Sequence, residues 1–320
     1  MHEILWISGY TFRMKITVTG GAGFIGSNLV RKLVELNHEV VVIDDLSTGL
    51  TSNLENLDCE FHNESIVDNV KLTKLISSSE AIFHFAARGS VPRSILDPVV
   101  AFQINTIGTL NVLEIARNTG AHVIFSSSSS VYGLNNLIPK IELTWTAPLS
   151  PYAASKLSSE ALLSAYANSY NIPITNLRFF NVYGPSQRPD HPYAAVIPKW
   201  IWQAIHGKPI EIFGDGKQTR DFTFVDTVVD VATTSLSKVA ANGQVINLAY
   251  GNQISLNEIK IKLHEKFSNL VSDYLPKRNG DVEHSQNNPD TILRYFPDVS
   301  PTNFEIGFEK TFNWLKSKYS

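Results

Sequence analysis

A chain of 320 residues with 43% hydrophobic and 18% charged side chains can bury a large core, which excludes a disordered or fibrous protein. Its formal net charge of -3 sets up no broad field for nucleic acid or an anionic lipid surface, so any phosphate must be caught locally. The single cysteine, Cys59, excludes an intrachain disulfide and a cysteine-held metal, and fits a reducing cytoplasm.

The opening MHEILWISGYTFR lacks the basic start, long apolar core and cleavage site of a signal peptide, so residues 1–13 are read as an extension. No apolar run approaches the ~18 to 20 residues of a bilayer span, and neither a membrane nor a nucleic-acid partner is expected. From Met14 the pattern alternates. Lys15 to Thr19 reads as a strand, Ile25 to Leu36 as a helix and Glu39 to Asp44 as a strand. Ala81 to Ala86 (strand), Val100 to Asn118 (helix) and His122 to Ser126 (strand) continue the alternation. Strand and helix in turn predict an α/β protein with a Rossmann-type, doubly wound parallel sheet. Pro151 precedes a helical pattern from Tyr152 to Tyr170, and Ile174 to Phe179 reads as a strand whose end meets the polar loop from Asn181 to Tyr193, where ligands of such sheets bind. Beyond it, Pro198 to His206 and Ser255 to Phe267 read as helices among loop-rich stretches, suggesting a smaller C-terminal lobe.

Gly20, Gly23 and Gly26 fall between the first strand and first helix. There they permit a tight turn, the approach of a pyrophosphate to the backbone, and close helix–strand packing. Read from Gly21, the stretch also fits G-x-G-x-x-G, a weak pattern when alone. The second strand ends at Asp44, where a carboxylate accepts hydrogen bonds from an adenosine ribose; Asp45 is the alternative partner. A carboxylate there repels a 2'-phosphate and no arginine follows in DDLSTG, which favours NAD over NADP.

In Y-A-A-S-K, Tyr152 and Lys156 share one helical face. A phenol of ordinary pKa near 10 needs about 4 kcal/mol to act as a base near pH 7, and positive charge must supply it. Lys156 and an oxidised nicotinamide ring are the candidates, with Ser128, at another strand end, placed to bond the reacting oxygen and relay the proton.

Taken together, TGGAGFIG, DDLSTG, HFAA, SSSSSVYG, PYAASK and RFFNVYG follow one another as in the extended short-chain dehydrogenase/reductase family, the NAD-dependent epimerases and dehydratases. The resemblance runs from about Met14 to Trp314. It implies an NAD-binding domain over residues 14–180 and a mainly substrate-binding lobe over 181–320, with segments returning to the first domain. A UDP-sugar substrate and a homodimer built on the helices near Val100 to Asn118 and Tyr152 to Tyr170 also follow from it. It places Phe24, Ile25, Ser47, Phe179, Tyr152 and Lys156 beside the cofactor, Ser65 and Ile66 near adenine, and Ala86 near the pyrophosphate. Toward substrate it implies Ser90, Ser129, Ser130, Ala195 and Val196. Asn181, Arg220 and Arg278 grip the diphosphate, and Asp281 the ribose.

The resemblance also narrows the reaction. Sugar 4,6-dehydratases of the family carry Asp-Glu in the two positions after the catalytic Thr or Ser, and a decarboxylase branch has Glu at the second. Here Ser129 and Ser130 stand there. What remains is oxidation at C4 and re-reduction from the other face, a 4-epimerase needing only Tyr152, Ser128, Lys156 and the cofactor. Another sugar-nucleotide epimerase or a reductase with the same three residues, acting on a UDP-glucuronate or dTDP-sugar substrate, and a non-catalytic NAD-binding sensor are the alternatives. Ser285, four residues after Asp281, takes the place where a tyrosine confines such epimerases to glucose and galactose, so its small side chain opens room for an N-acetyl group. The run from Tyr193 to Trp200, Gln187 and GDVEHS resemble bacterial UDP-N-acetylglucosamine 4-epimerases. Ser186, where many relatives have arginine, and NNPD after HSQ depart from them. UDP-GlcNAc and UDP-GalNAc are therefore the expected pair, with UDP-Glc and UDP-Gal also admitted.

Overall fold

The computed structural model describes residues 13–190, 193–237, 243–277 and 282–320. Residues 1–12 of the expected extension lie outside the described residues, and Arg13 and Met14 lead straight into β1 (Lys15–Thr19). Then follow α1 (Phe24–Glu35), β2 (Glu39–Ile43), β3 (Glu60–His62), α2 (Asn69–Ile76), β4 (Ala81–His84), α3 (Val91–Leu96) and α4 (Pro98–Phe102). Next come α5 (Gly108–Thr119), β5 (His122–Ser128), α6 (Pro151–Tyr170), β6 (Ile174–Phe179), β7 (Val182–Tyr183), α7 (Val196–Ile205), β8 (Ile210–Phe213), β9 (Thr219–Arg220) and β10 (Thr223–Phe224). The chain continues with α8 (Val225–Thr234), β11 (Val245–Leu248), β12 (Ile254–Ser255), α9 (Leu256–Lys266), β13 (Ser272–Leu275), α10 (Asp290–Tyr295) and α11 (Phe304–Tyr319).

Seven strands make one sheet in the order β11-β6-β5-β4-β1-β2-β3, parallel at every pairing, which is the doubly wound sheet expected. Its strands are apolar on both faces: Val40 and Val42 join the cluster under α1, whereas Val41 and Ile43 join the one under α2 and α5. That two-sided burial is why β2 reads as an unbroken β-branched run. The chain runs outward from β1 to β3, then returns to the other side of β1 with β4, so the order reverses between β1 and β4 and leaves a crevice at their carboxyl ends. The short strands β10 and β7, β12 and β9, and β13 and β8 pair off outside this sheet, while β11 returns to its edge beside β6.

Two helices need fuller description because they position the site. α6 starts where Ser150 accepts the Ala153 N–H and Pro151 supplies the first turn, and stops at Asn171, which takes a left-handed conformation. α4, one π-helical turn (Gln103–Ile107) and α5 run on as a single helix, Pro98–Thr119. With 22 residues and a window hydropathy of 1.4 it is long and apolar enough, by length and composition, to cross a membrane, which corrects the expectation that no segment reaches that length. Gln103, Asn105 and Thr106 interrupt its apolar run in the sequence. In the fold its inner side is core: Asn105 Nδ2 donates to Ser155 Oγ at 2.8 Å, and Thr109 Oγ1 lies 3.0 Å from His84 Nε2.

Candidate active site

A cavity of about 520 Å³ opens over the carboxyl ends of β1, β4, β5 and β6. One end of it is a glycine-rich turn. Gly20 has φ +73°, and a Cβ on it would lie 2.7 Å from Ala86 N, so the loops after β1 and β4 touch there. A Cβ on Gly26 would lie 2.8 Å from Gly21 Cα, so α1 packs against the turn itself. Gly23 caps α1, and Phe24, Ile25 and Gly26 open it; all line the cavity with Gly20, so the unpaired N–H groups of the first turn meet it. Asp44, at the end of β2, is 7% exposed. Its carboxylate accepts the Leu46 N–H at 2.9 Å and the Ala22 N–H at 3.0 Å; burial raises its pKa and these two donors hold it back. Each oxygen keeps a lone pair for a hydroxyl in the cavity. Asp45, Ser47, Ile66, Ala86 and Phe179 line the same space, whereas Ser65 accepts the Val67 N–H at 3.3 Å and leaves the lining to Glu64 and Ile66. A backbone cradle at a helix start, followed by a carboxylate on the next strand, fits a dinucleotide.

At the other end, β5 and α6 are joined at two successive residues: Lys156 Nζ donates to Ser126 O at 2.7 Å and Ser127 Oγ donates to Glu160. The next residue, Ser128, lines the cavity together with Tyr152. Ser130 supports this through its N–H and hydroxyl, both on Ser128 Oγ, at 3.2 and 2.9 Å; neither Ser129 nor Ser130 is itself in the lining. Lys156 is 2% exposed, and burial lowers its pKa to about 7 against the opposing pull of Glu160. Tyr152 is raised by burial and held back by Ser128. Among the chain's own groups, burial outweighs the help expected from Lys156, whose ammonium is turned to the sheet over the Phe125 ring at 4.7 Å.

Of the remaining expected residues, Ser90, Asn181 and Ala195 line the cavity, and Val196 begins α7 directly after Ala195. Arg220 and Ser285 are brought together, but beside the cavity rather than in its lining: Arg220 Nη1 donates to Thr219 O at 2.9 Å, and Ser285 N donates to Thr219 O at 3.2 Å. Arg278 and Asp281 lie outside the described residues. Sequence reasoning missed Arg88, Arg93 and Arg188, which also line the cavity. Arg88 directly follows HFAA, which is the available signal; its N–H is held at 2.7 Å by Oδ1 of Asn105, in the π turn. The carboxylates in the described lining, Asp44, Asp45 and Glu64, all stand on the β2 and β3 side, away from Tyr152.

A family model described as the NAD dependent epimerase/dehydratase family matches residues 16–249. The chain belongs to this family. UDP-glucose 4-epimerase of Mycolicibacterium smegmatis is 38% identical over 95% of this chain and 99% of that protein. UDP-N-acetyl-alpha-D-glucosaminuronate decarboxylase of Bacillus cytotoxicus is 32% identical over 95% of this chain and 98% of that protein. Among solved structures, the UDP-N-acetylglucosamine 4-epimerase of Methanobrevibacter ruminantium, in complex with UDP-N-acetylmuramic acid, superposes with a TM-score of 0.89. It is 36% identical and covers 96% of this chain and 99% of that one.

Proposed function

We propose that this chain is an NAD-dependent 4-epimerase of a UDP-hexose, acting foremost on UDP-GlcNAc and UDP-GalNAc and also admitting UDP-Glc and UDP-Gal. The observation that carries the reading is that Ser128, Tyr152 and Lys156 line the β5 side of one cavity, with the cavity's carboxylates confined to the far side. Dehydration or decarboxylation calls for a further acid or base beside the sugar, and serines fill the two positions after Ser128.

Gly20, Gly23 and Gly26 hold the pyrophosphate on the start of α1, and Asp44 accepts the adenosine ribose hydroxyls. When bound, NAD supplies the hydride acceptor and donor at the sugar's C4. Tyr152 takes the proton from O4 through Ser128 and returns it once the keto sugar has turned its other face. Lys156, one helical turn after Tyr152, anchors α6 to β5 through Ser126 O and so fixes where the phenol stands. Residues 181–320 serve mainly as the substrate lobe, where Asn181 and Arg220 bind the diphosphate and Ser285 leaves room at C2. Exposed Ile95, Leu96, Val99, Phe102 and Ile107 on and beside the Pro98–Thr119 helix support a homodimer through that helix and α6.

Purified protein incubated with UDP-Glc, UDP-GlcNAc and UDP-GlcA, without added NAD, tests the reading. Interconversion of UDP-GlcNAc and UDP-GalNAc is the expected result, and consumption of added NADH without epimer formation would mark a reductase. The UDP-GlcA arm tests a uronate substrate, a second reading favoured by the guanidinium groups of Arg88, Arg93 and Arg188 in the lining.

A further inference from the structure

Behind the cavity, six buried residues form one unbroken hydrogen-bonded chain. Glu160 accepts Arg178 Nε at 2.8 Å and Nη2 at 2.6 Å, and Arg178 Nη1 donates to the Tyr132 hydroxyl at 2.8 Å. Tyr132 donates to Asn247 Oδ1 at 2.7 Å, Asn247 Nδ2 donates to Asn287 Oδ1 at 2.9 Å, and Asn287 N donates to Asp221 Oδ2 at 2.9 Å. None of the six is more than 5% exposed, and none lines the cavity.

The two ends of the chain are what give it meaning. Glu160 lies one helical turn after Lys156 and takes the hydroxyl of Ser127, the residue before Ser128. Asp221 directly follows Arg220. Its carboxylate also accepts the N–H groups of Gly251 at 3.0 Å and Asn252 at 3.1 Å, and its carbonyl accepts Asn181 Nδ2 at 3.2 Å. One buried carboxylate thus ties three loops beside Arg220 and Ser285, and the other ties β5 to α6. A buried ion pair is weak evidence of stability, since apolar residues of the same volume often serve as well. A fully bonded network has a different property: shifting one member leaves others unpaired at high cost, so it holds one arrangement.

We infer that this chain is a positioning device that sets the sugar-nucleotide loops relative to the Ser128–Tyr152 pair, with Tyr132 at its centre governing turnover while touching neither ligand. The inference rests on the residue roles proposed above. Tyr132→Phe removes one hydroxyl and keeps the ring under Arg178, 4.8 Å from its guanidinium carbon. The expected variant is folded and retains its NAD. Its kcat per bound NAD falls about tenfold to a hundredfold, the scale on which remote misplacement acts. UDP affinity, read by calorimetry, falls only about threefold, the scale of one net hydrogen bond. In an Asn287→Ala background, where the chain is already cut, Tyr132→Phe should change neither quantity. A merely structural hydroxyl would lower the melting temperature and leave kcat per bound NAD within twofold of wild type, which overturns the inference, as does a full effect persisting in the Asn287→Ala background. Wild-type protein inactive on every UDP-sugar is a different failure, that of the functional reading; the same cycle read on UDP affinity then decides the coupling by itself.

Discussion

The phenol of Tyr152 carries the chemistry proposed for this site and little of its framework, since its backbone N–H is held separately by Ser94 Oγ at 3.0 Å. Tyr152→Phe should therefore keep the fold and the bound NAD and lose at least about a hundredfold in turnover, a general base being worth roughly 10² to 10⁴. Activity near wild type, measured on NAD-replete protein, removes Tyr152 from the mechanism. The specificity proposed above rests on a smaller group. Ser285 is fixed by its own backbone to Thr219, next to Arg220, so a larger side chain has no freedom to move the strand away. Ser285→Tyr should cut kcat/KM for the N-acetylated sugars far more than for UDP-Glc and UDP-Gal, because a phenol occupies the room an acetamide needs. Equal losses on both pairs, or wild-type turnover of only UDP-Glc and UDP-Gal, count against the pocket and leave a UDP-glucose 4-epimerase.

At the scale of elements, the turn from β1 to α1 is the tightest junction in the site. Gly26→Ala drives a methyl into the Gly20 carbonyl and toward Gly21 Cα, both backbone, so the strand or the helix must give way. Overpacking of that kind costs about 1 to 3 kcal/mol. A lower melting temperature together with loss of co-purified NAD is expected, and unchanged NAD content would show that the turn is not the cradle. This junction was legible because glycine spacing and a β-branched run each imply it, and β6 and α6 were legible to within a residue for the same reason of strong local pattern. The π turn was not, since Gln103 to Ile107 keep helical spacing, and the partners of Asn105 within it, Arg88 and Ser155, lie far from it in the chain. Nor were β7, β9, β10 and β12, two residues each, which exist only through partners far along the chain. Arg88 and Arg188 escaped notice as cavity residues because an arginine in a loop carries no periodicity to say where it points.

Across the whole molecule, buried titratable groups bias the response of the fold to acid. His84 is pinned between Thr19 Oγ1 at 2.8 Å and Thr109 Oγ1 at 3.0 Å, and His122 lies 3.0 Å from Thr175 Oγ1. Burial, aided by Lys156 at His84, lowers their pKa values to about 3 and about 4. An unfolded histidine titrates near 6.5, so below that pH the unfolded chain binds two protons that the folded chain refuses, and stability falls with pH. Asp221 works the other way. Burial raises it to about 6, against about 3.9 unfolded, so its buried charge costs stability at neutral pH and that cost is relieved as pH falls below 6. From these three groups alone, two protons against one leave a net uptake of about one on unfolding between roughly pH 6 and 4.5, a contribution of about 1.4 kcal/mol per pH unit to the slope. Urea unfolding followed by tryptophan fluorescence across that range should show the slope directly. His122→Gln, which can keep a hydrogen bond to Thr175, should remove that contribution by leaving one histidine against one aspartate. A slope that His122→Gln does not change would mean that other groups set the acid limit of the fold.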